Sequence, residues 1–313
     1  MLKELRKTKF INVFFRTIFR SLRHRSSAFF DYLIARWPTS GIIDCTFDGH
    51  KFKLYNECDD MELNSFFYNT KYEEEQELKL FAELAKHSRS IIDIGANTGY
   101  FSVLAGIVNK TADIYAIEPY APNYSRLNKN LKLNGCANVK SLQLAIGEGS
   151  GTIEFTVPEN NEINCVSSVN GEFSKKMHPE MKWRKEVVAL DTLDNIKINN
   201  KIAKIDLIKC DVETYEMSVF KGMDHILSHD RPVILFECFL DQERQIFFND
   251  ILKKYNYFVY IILAEGIVHL SNGFEKNISG LDYLLSPVKP ESNYVNYKYL
   301  ALHPEILLQQ SNW

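Results

Sequence analysis

Between residues 90 and 263 the sequence alternates short apolar runs with longer stretches of helical periodicity. The apolar runs have the length of buried strands, and the stretches between them place apolar residues at the three- and four-residue spacing of a helix. This alternation is typical of a mostly parallel sheet that helices cover on both faces. We therefore expect an α/β fold with a doubly wound, mostly parallel, seven-stranded sheet, whose strands are 90–94, 113–118, 140–145, 206–210, 232–237 and 258–263, with 281–285 as a closing edge strand.

Other elements follow from the same patterns. Asp48-Gly49 separates two short alternating runs, which predicts a β-hairpin with a two-residue turn. The segment 158–185 is rich in Asn, Ser, Glu and Lys and has no clear period, so we expect a long loop or a lid there. The remaining periodic stretches predict helices over 72–87, 99–108, 122–134, 216–228 and 242–255.

The first 25 residues form a basic amphipathic pattern, with apolar residues from Ile11 to Leu22 on one helical face and Lys and Arg opposite. One interpretation packs this helix on the main domain or on a second subunit of a homo-oligomer. The other places residues 3–25 on a membrane surface, with Phe and Ile in the acyl boundary. We expect a helical segment at 1–40, a hairpin extension at 41–70, the main domain at 71–290 and a tail at 291–313.

Composition and charge exclude several classes of protein. The 313 residues are 45% hydrophobic and 13% aromatic, as in globular proteins. The net charge of −3 and the lack of a basic stripe in the main domain argue against a nucleic-acid partner. Six cysteines without a C-x-x-C pair, and no apolar run long enough to span a bilayer, indicate a cytoplasmic protein, with contact to the inner face of a membrane as the alternative.

A glycine-containing turn follows the first strand of the main domain. Gly95 and Gly99 allow a tight turn, and in doubly wound sheets a ligand lies at the carboxyl ends of the strands. Glu118 ends the next strand, where a carboxylate can accept hydrogen bonds from both hydroxyls of a ribose. The turn and the acid together predict a nucleoside site.

The residues within the turn favour S-adenosylmethionine over a dinucleotide. A dinucleotide fingerprint has glycine at its first, third and sixth positions, whereas these positions hold Gly95, Asn97 and Tyr100. A side chain at the third position obstructs the approach of a pyrophosphate, and S-adenosylmethionine carries no phosphate. Asp93 could accept hydrogen bonds from its ammonium group.

Several motifs resemble the FkbM family of S-adenosylmethionine-dependent methyltransferases over about residues 70–290. They are 92–100, Ala116-Ile117-Glu118-Pro119, Ala145-Ile146-Gly147, Leu193-Asp194 and 206–213. The family pattern has glycine where this chain has Thr214. The resemblance implies methylation of a hydroxyl, often on a sugar or a secondary metabolite, and it implies that Tyr72 and Glu75 border the site. From the turn and the resemblance together we expect the cofactor to contact Asp93, Gly95, Ala96, Asn97, Gly99, Glu118, Pro119, Leu144, Ala145 and Asp211.

An alcohol is a weak nucleophile, so a carboxylate must take its proton or a cation must stabilise the alkoxide. Asp211 is the first choice for the general base, followed by Glu213 and Glu237, although Asp211 could instead cap the following helix. Asp211 and Glu237 could also hold Mg²⁺, by analogy with other methyltransferases of this fold. Acceptor contacts are predicted for Tyr72, Glu75, Ser168, His178 and Glu216.

The acceptor that we expect is a sugar or glycan. A carboxylate, an amine or a lipid-linked group remains an alternative, as does a membrane-peripheral binding protein of the same fold with weak catalysis.

Overall fold

A computed structural model describes Phe14, Ile18, Leu63 and Leu307 together with residues 39–57, 75–159, 168–177, 179, 181–275, 282–289, 292 and 294–296. Tyr72, His178 and all but two residues of the predicted N-terminal helix lie outside the described residues. Among the described residues, no helix combines the length and apolarity needed to cross a bilayer.

The described chain contains strands and helices in the following order. The elements are β1 Ser40–Phe47, β2 His50–Glu57, α1 Glu75–Lys86, β3 Ser90–Ile94, α2 Tyr100–Val108, β4 Asp113–Ile117, α3 Ala121–Leu133, β5 Val139–Leu142, β6 Ala145–Ile146, β7 Gly151–Pro158, α4 Gly171–Met177, β8 Trp183–Asp191, α5 Leu193–Asn199, β9 Leu207–Cys210, α6 Glu216–Lys221, a π-helical turn Ile226–Asp230, β10 Val233–Glu237, α7 Gln242–Tyr255, β11 Phe258–Ile262, β12 Gly266–His269, β13 Asp282–Ser286 and β14 Tyr294–Asn296.

The largest sheet confirms the predicted fold class. Its strand order is β14-β12-β11-β13-β10-β9-β3-β4-β5. The run from β5 to β10 is parallel, and β13 is antiparallel to both of its neighbours, β10 and β11. Seven strands from β5 to β11 therefore form the doubly wound sheet, and β12 and β14 extend it.

The predicted edge position of the last strand is wrong, because β13 lies between β10 and β11. Tyr283, Leu284 and Leu285 are fully buried. A strand with apolar residues on both faces is stable in the interior of a sheet and not at its edge.

Helices cover the sheet on both faces. Side chains on successive positions of a strand point to opposite faces, so Ile91 of β3 packs with α1 and α2 in one hydrophobic cluster. Its neighbour Ile92 packs with α5, α6 and α7 in the other cluster. The sheet is thus buried on both sides, as the continuous apolar runs predicted.

The described residues of the segment 158–185 contain more regular secondary structure than the sequence predicted. Among its described residues, Gly171–Met177 form α4 and Trp183 begins β8. β8 pairs antiparallel with β7 and parallel with β6 in a separate three-stranded sheet. The predicted strand 140–145 is correspondingly split between β5 and β6. The exposed face of β8 carries the apolar residues Val187 and Ala189, and its less exposed face carries the charged residues Arg184 and Glu186. The sequence of β8 therefore shows no apolar alternation, which explains the error.

The predicted β-hairpin is confirmed. β1 and β2 are joined by Asp48 and Gly49, which have φ angles of 45° and 78°. Positive φ at both central residues is the geometry of a type I′ turn. The hairpin packs against α2 and α3 and thereby lies close to the turn that follows β3.

Candidate active site

A cleft lies at the carboxyl ends of the parallel strands β3, β4, β9 and β10. It encloses about 940 Å³ of empty volume, part of which is open to solvent. The strands are parallel, so the residues that follow each of them meet at this one edge of the sheet. Predicted residues that line the cleft are Asp93, Gly95, Ala96, Asn97, Glu118, Pro119, Leu144, Ala145, Asp211, Glu213 and Glu237.

The turn after β3 is tied to the neighbouring strands. The backbone N–H groups of Gly95 and Ala96 both donate to the carbonyl of Ile117, at 2.9 Å. Gly95 has a φ of 79°, and a Cβ built there would lie 1.7 Å from the carbonyl oxygen of Asp211. Only glycine therefore fits at this position, which brings the turn against the end of β9.

Gly99 does not line the cleft. It has a φ of 87°, and a Cβ built there would lie 2.3 Å from Cδ1 of Leu127 in α3. Its structural role is the close packing of the turn on that helix, so direct contact of Gly99 with a cofactor is not supported by its position.

Glu118 is buried at the end of β4. Its two carboxylate oxygens accept hydrogen bonds from the backbone N–H groups of Asn97, at 2.9 Å, and Tyr120, at 2.8 Å. Burial raises the pKa of Glu118 to about 7, and these two bonds oppose the rise. Each carboxylate oxygen retains a further lone pair, so Glu118 can still accept hydrogen bonds from two hydroxyl groups.

Asp93 presents a buried acceptor to the cleft. Ser102 donates from its hydroxyl to Oδ2 of Asp93 at 2.6 Å, whereas Oδ1 has no hydrogen-bond partner in the described chain. Burial raises the pKa of Asp93, although the nearby Lys209 opposes this. The side-chain oxygen of Asn97 is also buried without a described partner. These two oxygen atoms can accept hydrogen bonds from a bound molecule.

Lys209 is a site residue that sequence reasoning missed. It is only 2% exposed, and its ammonium group donates to Oδ2 of Asp211 at 2.9 Å. The same nitrogen lies 4.3 Å from the centre of the Phe101 ring. The signal in the sequence was a lysine inside the apolar run of β9, because charged residues are rarely buried unless they are paired.

The position of Asp211 bears on its two predicted roles, general base and helix cap, and both stay predictions. No side-chain cap was found at the start of α6, and the carboxylate of Asp211 is instead bound to Lys209. Within the described ranges there is no group of three acids, histidines or cysteines arranged to hold a metal ion. The Mg²⁺ site at Asp211 and Glu237 stays a prediction.

The predicted acceptor residues fall into two groups. Ser168 and Glu216 do not line the cleft but hold the turn at Glu213 and Thr214: Ser168 donates to the carbonyl of Glu213 at 2.7 Å, and Glu216 accepts from the N–H of Thr214 at 2.9 Å. Burial raises the pKa of Glu216 to about 7. Tyr72 and His178 lie outside the described residues, as does the side chain of Glu75.

Part of the cleft wall comes from β7 and from the segment 158–185, which was expected to be a loop. Phe155 of β7 and Val169, which precedes α4, both line the cleft. Tyr100 and Tyr215 add aromatic surface. The sequence could not place Phe155 and Val169 there, because their approach depends on the small sheet β6-β8-β7.

Negative charge dominates the cleft. Asp93, Glu118, Asp211, Glu213 and Glu237 line it, and Lys209 is the basic residue among the described lining residues. An acidic cleft attracts cations and repels anions such as a pyrophosphate. The fold and the cleft therefore define a doubly wound α/β domain with an acidic cleft at the carboxyl ends of its parallel strands.

A comparison with protein families gives the identity of this domain. Residues 93–262 match the family model described as the methyltransferase FkbM domain. The match covers more than half of the chain, and the chain belongs to the FkbM methyltransferase family.

Two relatives illustrate the similarity. The chain is 32% identical over 157 residues to methyltransferase sdnD of Sordaria araneosa, a match that covers 43% of this chain and 60% of sdnD. It is 26% identical over 164 residues to the hexuronic acid methyltransferase AglP of Haloferax volcanii, a match that covers 52% of this chain and 61% of AglP. The chain thus spans about 60% of the length of these relatives.

Similar solved structures include methyltransferase FkbM from Methylobacillus flagellatus, with a TM-score of 0.39 at 17% identity over 63% of this chain and 43% of that one. TYW2 of M. jannaschii in complex with AdoMet has a TM-score of 0.36 at 14% identity, over 79% of this chain and 84% of that one. The fold assignment rests on the strand order of the sheet itself.

Proposed function

We propose that this chain is an S-adenosylmethionine-dependent O-methyltransferase that methylates a hydroxyl group of a carbohydrate. The observation that carries the proposal is one acidic cleft that contains both the glycine turn with Glu118 and the acids Asp211, Glu213 and Glu237. Membership of the FkbM methyltransferase family supports the reaction class.

The residues present fit the cofactor. The unpartnered oxygens of Asp93 and Asn97 can accept from its ammonium group, and Glu118 has lone pairs for the two ribose hydroxyls. Leu144 and Ala145 offer an apolar edge for adenine. The acidic cleft favours the positive charge of a sulfonium compound over the negative charge of NAD(P).

When bound, S-adenosylmethionine supplies an electrophilic methyl group. Asp211 holds the acceptor hydroxyl and takes its proton as the oxygen becomes bonded to the methyl carbon and the bond from that carbon to sulfur breaks, which leaves a neutral thioether. Lys209 fixes this carboxylate by binding Oδ2, and no described donor binds Oδ1, which can receive the proton. Orientation of the acceptor oxygen by Asp211, Glu213 and Glu237 supplies much of the rate.

The acidic cleft also bears on the acceptor. Asp211, Glu213 and Glu237 would repel a carboxylate acceptor, whereas a neutral hydroxyl can donate to any of them. The name of the relative AglP, a hexuronic acid methyltransferase, supports a sugar acceptor. A hexuronic acid carries both hydroxyls and a carboxylate, so the charge of the cleft is the argument for the hydroxyl.

Three further proposals have simple tests. If Asp211 and Glu237 hold Mg²⁺, EDTA should abolish turnover and added Mg²⁺ should restore it.

If residues 3–25 contact the inner face of a membrane, the full chain should float with anionic vesicles, and removal of residues 1–36 should prevent this. A homo-oligomer predicts a sedimentation mass above the 36.3 kDa of one chain.

Isothermal titration calorimetry with S-adenosylmethionine and with NAD⁺ tests the donor. We expect binding of S-adenosylmethionine only. Asp93→Asn should weaken it, and Asp113→Asn, at the exposed start of β4, is the matched control that should not. Binding of NAD⁺ alone would overturn the proposed function.

Mass spectrometry of glycans and glycolipids from cells with and without the gene tests the acceptor. We expect one sugar unit to differ by a CH₂ group. With that acceptor, Asp211→Asn should lower kcat by about 100-fold or more, the usual contribution of a positioned proton acceptor. A CH₂ difference on an amine or a free carboxylate would contradict a hydroxyl acceptor, and unchanged kcat would remove Asp211 from the reaction.

A further inference from the structure

The backbone at Glu213 and Thr214 adopts a conformation that their side chains disfavour. The φ angles are 51° at Glu213 and 73° at Thr214. The left-handed region is uncommon for residues other than glycine, and a β-branched residue such as Thr is an outlier there. Such residues persist only where the surrounding structure holds them. The strain lies at the wall of the cleft, since Glu213 lines it.

Three side chains from two separate parts of the fold hold this turn. The amide of Asn170 donates to the hydroxyl of Thr214 at 3.0 Å, and the hydroxyl of Ser168 donates to the carbonyl of Glu213 at 2.7 Å. From α7, Arg244 donates to the carbonyl of Thr214 at 3.2 Å. We call Ser168, Asn170 and Arg244 the Thr214 clamp.

Each member of the Thr214 clamp is itself anchored. Ser168 is fully buried and pairs through its backbone with Thr156 of β7, at 2.9 and 3.2 Å. Asn170 accepts from the N–H of Phe173 in the first turn of α4. Arg244 forms an ion pair with Asp241, whose carboxylate caps the start of α7. The clamp therefore joins residues 168–170, which precede α4, and the helix α7 to the turn that carries Glu213.

The side chain at position 214 decides whether Asn170 can take part. Glycine at this position would adopt a φ of 73° without strain but offers no hydroxyl. Threonine is strained at this φ, but its hydroxyl accepts a hydrogen bond from Asn170. Val169, which precedes Asn170, lines the cleft.

We propose that Ser168, Asn170 and Arg244 are positioning residues, and that the hydroxyl of Thr214 is the attachment point of Asn170. Together they hold Glu213 and Val169 in the wall of the cleft. The clamp thereby fixes residues 168–177 beside the bound cofactor and slows the release of the cofactor. The effect on the cofactor rests on the proposed function, whereas the attachment itself does not.

The test compares Thr214→Val, Thr214→Gly, Thr214→Ser and Asn170→Ala in the full chain. Hydrogen–deuterium exchange of residues 168–177 reports the attachment, stopped-flow dissociation of S-adenosylmethionine reports the cleft, and Tm reports stability. Asn272→Ala, which alters an exposed asparagine bound to Glu275, is the matched control.

We expect Thr214→Val and Thr214→Gly to speed both exchange and dissociation by about fivefold, the size of one lost hydrogen bond. Thr214→Ser retains the hydroxyl and should behave as the unmodified chain. Thr214→Gly should be more stable than Thr214→Val because glycine relieves the strain. The two variants should therefore differ in Tm although their dissociation rates are similar. A merely structural role would move them together.

Asn170→Ala also removes the bond from Phe173, so its effects should be at least as large as those of Thr214→Val. Thr214→Val should add nothing in an Asn170→Ala background, because the bond that it removes is already absent there. Additive effects, or unchanged exchange in Thr214→Val, would overturn the clamp. If the unmodified chain does not bind S-adenosylmethionine, the proposed function fails, and the exchange data still decide the attachment.

Discussion

Glu118 shows how burial of a single side chain makes binding depend on pH. Burial raises its pKa to about 7. Ribose hydroxyls donate hydrogen bonds, so they favour the ionised carboxylate, which charge-assisted bonds stabilise. Bound cofactor should therefore lower this pKa, and binding should release a proton near neutral pH.

We predict that the affinity for S-adenosylmethionine is about tenfold weaker at pH 6 than at pH 8. At pH 6 the carboxyl group of Glu118 is protonated in most molecules, and it must lose this proton before the cofactor binds. Isothermal titration in buffers of different ionisation enthalpy measures both the Kd and the proton release. Glu118→Gln removes the titrating group, so its weaker binding should vary less with pH. Equal Kd values at pH 6 and pH 8 for the unmodified chain would contradict the prediction.

Single residues were predictable from the sequence where a strand ends and a special residue follows. Gly95, Glu118 and Asp211 were found in this way, and all line the cleft. Lys209 was missed, because its pairing with Asp211 requires two residues of the same strand end to meet beside Phe101. Gly99 packs on Leu127 and does not line the cleft, and its predicted contact with the cofactor stays a prediction.

At the scale of elements, the β-hairpin braces the turn after β3 through one buried residue. Asn130 of α3 accepts from the N–H of Tyr55 in β2 at 2.8 Å and donates to the carbonyl of Thr98 at 2.7 Å. Asn130 is fully buried, so water does not reach its side-chain amide.

We predict that Asn130→Ala lowers the free energy of unfolding by about 2 kcal/mol or more, since it leaves buried polar groups without this partner. The affinity for S-adenosylmethionine should fall as well, because Thr98 belongs to the turn. Urea unfolding and calorimetry measure the two effects.

Asn134→Ala is the matched control. Asn134 binds the same hairpin: it accepts from the N–H of Lys53 at 2.7 Å and donates to the carbonyl of Lys53 at 2.6 Å. Its side chain makes no hydrogen bond with the described residues of the turn. It should lose stability and keep its affinity. Equal loss of affinity in both variants would mean that the hairpin acts only through overall stability.

At the scale of the whole molecule, buried carboxyl groups make stability depend on pH. Burial raises the pKa of Glu118 and of Glu216 to about 7 from an ordinary value of 4.5. Between these pH values the folded chain keeps a proton on each group that the unfolded chain has released. The free energy of unfolding therefore decreases as pH rises from 4.5 to 7.

We predict that Glu216→Gln reduces this loss by up to about 3 kcal/mol, because glutamine has no charge to bury. Urea unfolding at pH 5 and pH 8 measures the difference, and all other titrating groups are common to both proteins. Glu265→Gln, at an exposed position, should leave the pH dependence unchanged. The same pH dependence in Glu216→Gln as in the unmodified chain would contradict the prediction.

The sequence by itself determined the alternation of strands and helices, the hairpin, the glycine turn and the acids that end the strands. These are local properties, since periodicity, turn chemistry and strand ends are encoded by neighbouring residues. Only the tertiary structure decided that β13 lies inside the sheet, that β7 and β8 wall the cleft, that Lys209 binds Asp211, and that Asn170 reaches Thr214. Each of these depends on contacts between segments distant along the chain or on the packing around them, and such contacts leave no period in the sequence to read.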